Sequence, residues 1–275
     1  MKNIIVSVIT FISTSLTIYA QQDVHGLMYG SHKQNNLDLF LPAKFDAKTP
    51  FIVMLHGGAW AMGGKEYTDK TARDLRDRGF VVANVDYRYV NDSVHCTDLL
   101  TDIDNAISYL QTTAAQQYKF RTSGYNMAGI SAGAHLALLY GYTTKKDIKA
   151  IAALCAPSVL DDAKGLDLIA NNGLIHNIEL LADAKYIPGQ AVPKAFSNVS
   201  PYKQVTNIPT LLFHGDKDDL VPHKSSEVLY NILKTKNIDS KFLTMKGKGH
   251  DCGMNQADSE KQVLDEITNW VNKYN

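Results

Sequence analysis

The chain has 275 residues, with 28 Lys and Arg against 28 Asp and Glu, so its formal net charge is zero. That length is ample for one buried core. The lack of any basic stripe, long charge run or low-complexity tract argues against nucleic acid as a partner, because phosphate binding draws on clustered Lys and Arg.

The first residues, MKNIIVSVITFISTSLTIYAQQ, place one lysine before an apolar stretch and Ala20 before a polar pair. That is the form of a secretory signal cleaved after Ala20. The alternative is an anchor helix, but the run is short for a span and diluted by Ser and Thr. The expectation is a signal peptide over 1–20 and a single domain over 21–275. The protein is then secreted or periplasmic, with no stable membrane insertion after cleavage.

NLDLFLP (36–42) alternates and stops at Pro42, which reads as an early strand suited to an antiparallel edge. FIVMLHGG (51–58) is an unbroken apolar run ending in glycines, a buried strand followed by a loop. YTDKTARDLRDRG is helical and closes on Gly79. FVVANVDYR (80–88) is a second buried strand, and TDLLTDIDNAISYLQTTA a long amphipathic helix. The alternation continues with strand YNMAGI and helix AGAHLALLYGY, then strand KAIAALCAP. Strand PTLLFHG leads to helix SSEVLYNILKTK, and strand SKFLTMKG to a last helix, SEKQVLDEITNWVNKY. Unbroken apolar strands alternating with helices indicate an α/β fold, with a mostly parallel twisted sheet covered by helices on both faces. Residues 158–200 break the rhythm and are longer than a crossover needs, which marks an irregular lid-like insertion.

In such a sheet functional groups collect beyond the carboxyl ends of the strands, and four motifs fall there. GISAG places Ser131 at a strand-to-helix turn, where Gly129 and Gly133 permit close packing and expose the hydroxyl. A serine attacks poorly without a base, and His250 in KGKGHDCG follows the last strand. The imidazole in turn needs a carboxylate, and FHGDKDDLVP offers Asp216, Asp218 and Asp219. Asp218 is selected by the pattern H-G-x-x-D-x-x-V-P. HGGAW (56–60) supplies an oxyanion loop, so the donors are the backbone N–H groups of Gly58, Ala59 and Ala132, with Gly57 the alternative.

Together LHGGAW, VDYR, GISAGAHLA, SPYKQVTNIPTLLFHGDKDDLVP and GKGH resemble an α/β-hydrolase of the HGGxW-type serine esterase branch. That branch is similar to hormone-sensitive-lipase-like esterases, kynurenine formamidases and bacterial feruloyl or acetyl-xylan esterases. The resemblance covers roughly residues 35–272. It implies a Ser131–His250–Asp218 triad acting through an acyl-enzyme on carboxylic esters of small or carbohydrate-linked substrates. An amidase, formamidase or small peptidase with the same triad is the alternative, and a non-catalytic binding protein of this fold the alternative of another class.

The remaining candidates carry plainer readings. His56 and His214 are expected to shape loops, His135 to pack behind Ser131, and Tyr87 and Arg88 to support the site from beneath. Trp60 is either a wall of the substrate cleft or a core aromatic. No spacing of His or carboxylates suggests a metal, and no cofactor is called for. Cys96, Cys155 and Cys252 permit at most one internal disulfide, and the pairing and the oligomeric state stay open.

Overall fold

A strand that is apolar at every position, such as FIVML, buries both faces and so belongs inside a sheet covered on each side. The computed structural model describes residues 21–275; the expected signal peptide lies outside the described residues. Eight strands form one sheet: β1 (Gln22–Met28), β2 (Asn36–Leu41), β3 (Phe51–Leu55), β4 (Val81–Val85), β5 (Tyr125–Ile130), β6 (Ile148–Leu154), β7 (Thr210–Gly215) and β8 (Ser240–Met245). Their spatial order is β1-β2-β4-β3-β5-β6-β7-β8. The pairs β1/β2 and β2/β4 are antiparallel and every other pair is parallel.

Strand alternation divides the core between the two faces. On one face Val53, Leu55 and Val85 pack with residues of α2 (Cys96–Tyr109), α4 (Ala132–Thr143) and α8 (Lys224–Thr235). On the other, Ile52, Val82, Leu211 and Phe213 pack with α1 (Asp69–Asp77) and α9 (Ala257–Lys273). After α2 the helix widens for one turn over Leu110–Ala114 before the short α3 (Ala115–Tyr118). The insertion at 158–200 folds into α5 (Ala163–Asn171), α6 (Ile175–Ala182) and α7 (Lys194–Asn198) above the carboxyl ends of the central strands.

Two features depart from the sequence reading. The edge belongs to β1, whose polar, glycine-interrupted QDVHGLM has half-exposed residues and a register shift between Val24 and Leu27. An edge strand with one wet face carries little apolar signal. Strand β2 is second in the sheet and almost wholly buried, although its alternation suggests a half-exposed strand. The misleading position is Asp38, a buried carboxylate. It accepts from Lys65 Nζ at 2.7 Å, from His25 Nδ1 at 2.7 Å and from the Gly26 N–H at 2.8 Å. Burial alone would raise the Asp38 carboxyl, but the bonds from Lys65 and His25 outweigh it and hold the group below its usual range.

A buried pair costs little as a pair and much when broken. Lys65→Met is expected to lower unfolding stability in urea by about 3 kcal/mol. The double variant Asp38→Leu, Lys65→Met should return to within about 1 kcal/mol of the parent. A double variant as unstable as the single one would contradict this pairing.

Candidate active site

Strand β5 ends at Ile130 and α4 begins at Ala132, so Ser131 alone turns the chain. It does so at φ +55° and ψ −123°, a conformation few side chains adopt without support. The support is close backbone packing. A Cβ on Gly133 would lie 2.2 Å from the Leu55 carbonyl oxygen, and one on Gly129 would lie 2.5 Å from the Gly133 carbonyl carbon. Only glycine at both positions lets α4 start so near β3 and β5. The Ser131 N–H donates to the Leu154 carbonyl at 2.8 Å, which fixes the turn to the end of β6.

His250 lies on the loop after β8. Its Nε2 is 2.8 Å from Ser131 Oγ and its Nδ1 is 2.8 Å from Asp218 Oδ2. A carboxylate only accepts, so Nδ1 carries the proton and the Nε2 lone pair faces the serine hydroxyl, which donates to it. The Asp218 carboxylate has no exposed surface. Its Oδ1 accepts from the N–H groups of Leu220 at 3.0 Å and Val221 at 2.9 Å. Burial raises this carboxyl, but hydrogen bonds from His214 and His250 prevail and hold it well below the usual carboxylate range. The two neighbouring aspartates serve elsewhere: Asp216 accepts from the Gly247 N–H, and Asp219 offers its carbonyl to Asn172.

Sequence reasoning gives His214, at the end of β7, a loop-shaping role but misses its contact with Asp218. The ring is fully buried, with Nε2 3.0 Å from Asp218 Oδ2 and 3.1 Å from the Val221 carbonyl. Both partners accept, so Nε2 carries the proton, and the Ser226 hydroxyl completes the ring at Nδ1, 2.7 Å away. Asp218 is thus clasped between two imidazoles. The i, i+4 spacing inside H-G-x-x-D is the signal that could have shown it.

The loop after β3 runs left-handed through Gly58 (φ +111°), Ala59 (φ +48°) and Trp60 (φ +59°). A Cβ on Gly58 would lie 2.0 Å from the Met62 carbonyl oxygen, so this residue must be glycine. Gly58, Ala59 and Ala132 border the same cleft as Ser131 and His250. Within the described residues no hydrogen bond takes up the N–H of Ala59 or Ala132.

Trp60 combines both of its sequence readings: it is buried, and one edge borders the cleft. Its indole N–H donates to His135 Nδ1 at 3.2 Å, and His135 Nε2 donates to the Val199 carbonyl at 2.7 Å. His135 therefore joins the loop after β3, α4 and the insertion. Beneath the loop, His56 stacks on Tyr87 with ring centroids 4.3 Å apart, and the Tyr87 hydroxyl donates to the His56 carbonyl. Arg88 is paired with the buried Asp102 of α2.

The cleft holds about 460 Å³. Ser131 and His250 line it, and Met62, Ile169, Leu174, Ile178 and Val221 form apolar walls. Cys155, His214 and Asp218 bring one donor atom each within 4.8 Å of one another, the sole such grouping among the described residues. Asp218 is already committed there to two imidazoles. No helix among the described residues is long and apolar enough to cross a membrane.

Solved structures with this architecture define its class. A truncated carbohydrate esterase from gut microbiota superposes with a TM-score of 0.74 at 20% identity, covering 93% of this chain and 98% of that one. Esterase B of Lactobacillus rhamnosis superposes at 0.75 with 18% identity, covering 92% and 87%. The fold is that of the α/β-hydrolases. More narrowly, residues 37–233 match the BD-FAE family, and the chain belongs to that esterase family. Isoprenylcysteine alpha-carbonyl methylesterase of Arabidopsis thaliana is 27% identical over 255 residues, 84% of this chain and 57% of that protein. A probable enzyme of the same name from rice is 26% identical over 248 residues, 84% and 59%. The chain thus spans somewhat less than three-fifths of these relatives' length. Kynurenine formamidase of Danio rerio is 30% identical over 121 residues, 43% of this chain and 38% of that one.

Burial depresses both His56 and His135 to about 4. Between pH 6.5 and 4 the unfolded chain takes up protons that these folded rings refuse, so their stabilisation is complete above pH 6.5 and is lost as pH falls toward 4. Each contributes up to about 3 kcal/mol. His135→Gln should therefore lose less stability than the parent between pH 6.5 and 4.5 in urea unfolding. An unchanged slope would contradict a neutral, buried His135.

Proposed function

We propose that the protein is a serine ester hydrolase with Ser131 as nucleophile, His250 as general base and acid, and Asp218 as the carboxylate that orients His250. The observation that carries this reading is the unbroken relay from Ser131 Oγ to His250 to Asp218, with 2.8 Å at each step. Ser131 Oγ bonds to the ester carbonyl carbon as His250 Nε2 takes its proton. Negative charge then develops on the carbonyl oxygen, beside the N–H groups of Gly58, Ala59 and Ala132. His250 returns the proton to the departing alcohol, which leaves an acyl-enzyme. Water attacks that ester with His250 again as base, and the acid departs. Asp218 stays ionised throughout and stabilises the transient imidazolium.

The cleft supports a narrower statement about the substrate. A sugar within it would turn most of its hydroxyls toward apolar side chains such as Met62, Ile169, Leu174 and Ile178, at a desolvation cost. The hydrocarbon part of the ester occupies the cleft, and a polar or carbohydrate alcohol stays at its mouth. Export of this activity rests on the leader-like sequence of residues 1–20 and is part of the proposal. The partial likeness to kynurenine formamidase supports a second reading, cleavage of an N-formyl amide by the same triad.

Ser131→Ala should lower kcat on p-nitrophenyl esters by about 10⁴-fold or more with thermal unfolding unchanged. Retained hydrolysis would remove Ser131 as nucleophile. On the parent protein, kcat/KM should rise at least about tenfold from p-nitrophenyl acetate to hexanoate. Ile178→Asp should remove that preference while leaving acetate within about threefold. Equal use of both esters would contradict an apolar acyl cleft, and faster cleavage of an N-formyl aryl amide would favour the second reading.

A further inference from the structure

We propose that Cys155 and Cys252 form a disulfide that fixes the His250 loop to the strand end holding Ser131. The two sulfur atoms lie 2.8 Å apart, closer than unbonded sulfurs pack, and both residues are fully buried. Both also have left-handed backbones, at φ +51° for Cys155 and φ +55° for Cys252. Two non-glycine residues in that region, one from each side of the contact, need a compensating interaction. A covalent link between their side chains provides it.

The placement gives the link a consequence. Cys155 directly follows Leu154, whose carbonyl accepts the Ser131 N–H at 2.8 Å. Cys252 lies two residues after His250, in a loop closed by the Cys252 N–H donating to the Gly249 carbonyl at 3.1 Å. Without the bridge, that loop is tied to the end of β7 by backbone contact, including the Lys217 N–H to the Lys248 carbonyl at 2.9 Å. The bridge adds a tie to β6, the strand end that fixes Ser131. It thereby limits the drift of His250 Nε2 from Ser131 Oγ, so Cys155 and Cys252 are positioning residues. This second half rests on the triad proposed above; the bond itself does not.

The bond forms by exchange with an external disulfide, either a small-molecule disulfide or a disulfide-carrier protein. One cysteine thiolate attacks the external disulfide, giving a mixed disulfide and one released thiol. The other thiolate displaces the second thiol, so the protein loses two electrons and two protons and the reagent is reduced to two thiols. Burial, and then the neighbouring Cys252, push the Cys155 thiol far above its ordinary range. The folded thiol is therefore a poor attacker, and exchange takes place during folding, before the loop packs. Cys96 sits in α2, where burial pushes its thiol up to about 12, and it remains reduced.

The test is to refold the full chain in a glutathione–glutathione disulfide buffer, then alkylate it under denaturing conditions without reductant and map the peptides. One alkylated cysteine, Cys96, and a Cys155–Cys252 cross-linked peptide are expected. Alkylation of all three cysteines, or a cross-link through Cys96, would overturn the bridge. For the positioning role, the Cys155→Ala, Cys252→Ala variant is expected to lose roughly tenfold in kcat with KM within about twofold. Should that variant fold poorly, parent protein refolded with dithiothreitol and held reduced gives the same comparison. An unchanged kcat in either folded form would overturn the positioning role. Because the mapping reads no activity, failure of the bridge is distinguishable from failure of the triad.

Discussion

The close backbone contact of α4 with β3 and β5 is the constraint on which the rest of the structure depends. With no side chain at Gly129 or Gly133, the helix starts almost against the Leu55 and His56 carbonyls. Ser131 is thereby held in a backbone conformation that it would not adopt alone. The same contact brings the loop after β3 beside the serine, since Gly57 lies against Ile130 and Ser131. One packing decision therefore places the hydroxyl, the first N–H of α4 and the glycine loop around one point. Larger side chains at these two glycines would separate all three.

Around that point the structure invests in fixing the orientation of groups. Asp218 is held by two imidazoles and two backbone N–H groups, so its carboxylate cannot rotate away from His250. Trp60 and His135 fix the loop after β3 to α4 and to the carbonyl of Val199. The His56–Tyr87 stack supports the same loop from below. These groups are buried and neutral or internally paired, which suits a site whose donors must be in place before charge develops. The cleft beside them is mostly apolar, and the insertion contributes Ile169, Leu174 and Ile178 to its wall.

Much of the sheet was legible because β3 to β7 are buried on both faces, and full burial leaves an unbroken apolar run. Ser131, Asp218 and His250 stood out because each follows a strand, which is where an open parallel sheet gathers its functional side chains. What stayed hidden depends on contacts distant in sequence. β1 carries too few apolar residues to announce a strand, and β2 looks half-exposed because nothing local shows that Lys65 and His25 will satisfy Asp38. The contact of Cys155 with Cys252 spans 97 residues, and the Trp60–His135 bond spans 75. The insertion reads as irregular in sequence, yet it folds into α5, α6 and α7 and gives Ile169, Leu174 and Ile178 to the apolar wall of the cleft, a surface that its local composition does not announce.

Chemical capture of the nucleophile tests the central claim most directly. The protein would be treated with a p-nitrophenyl alkylphosphonate, which transfers its phosphonyl group to an activated hydroxyl and mimics the tetrahedral intermediate. Peptide mapping would then locate the adduct. A triad of Ser131, His250 and Asp218 requires one phosphonyl group per chain, on Ser131, with loss of esterase activity in step with labelling. An adduct on another residue, or full ester hydrolysis by a protein carrying the label on Ser131, would contradict it.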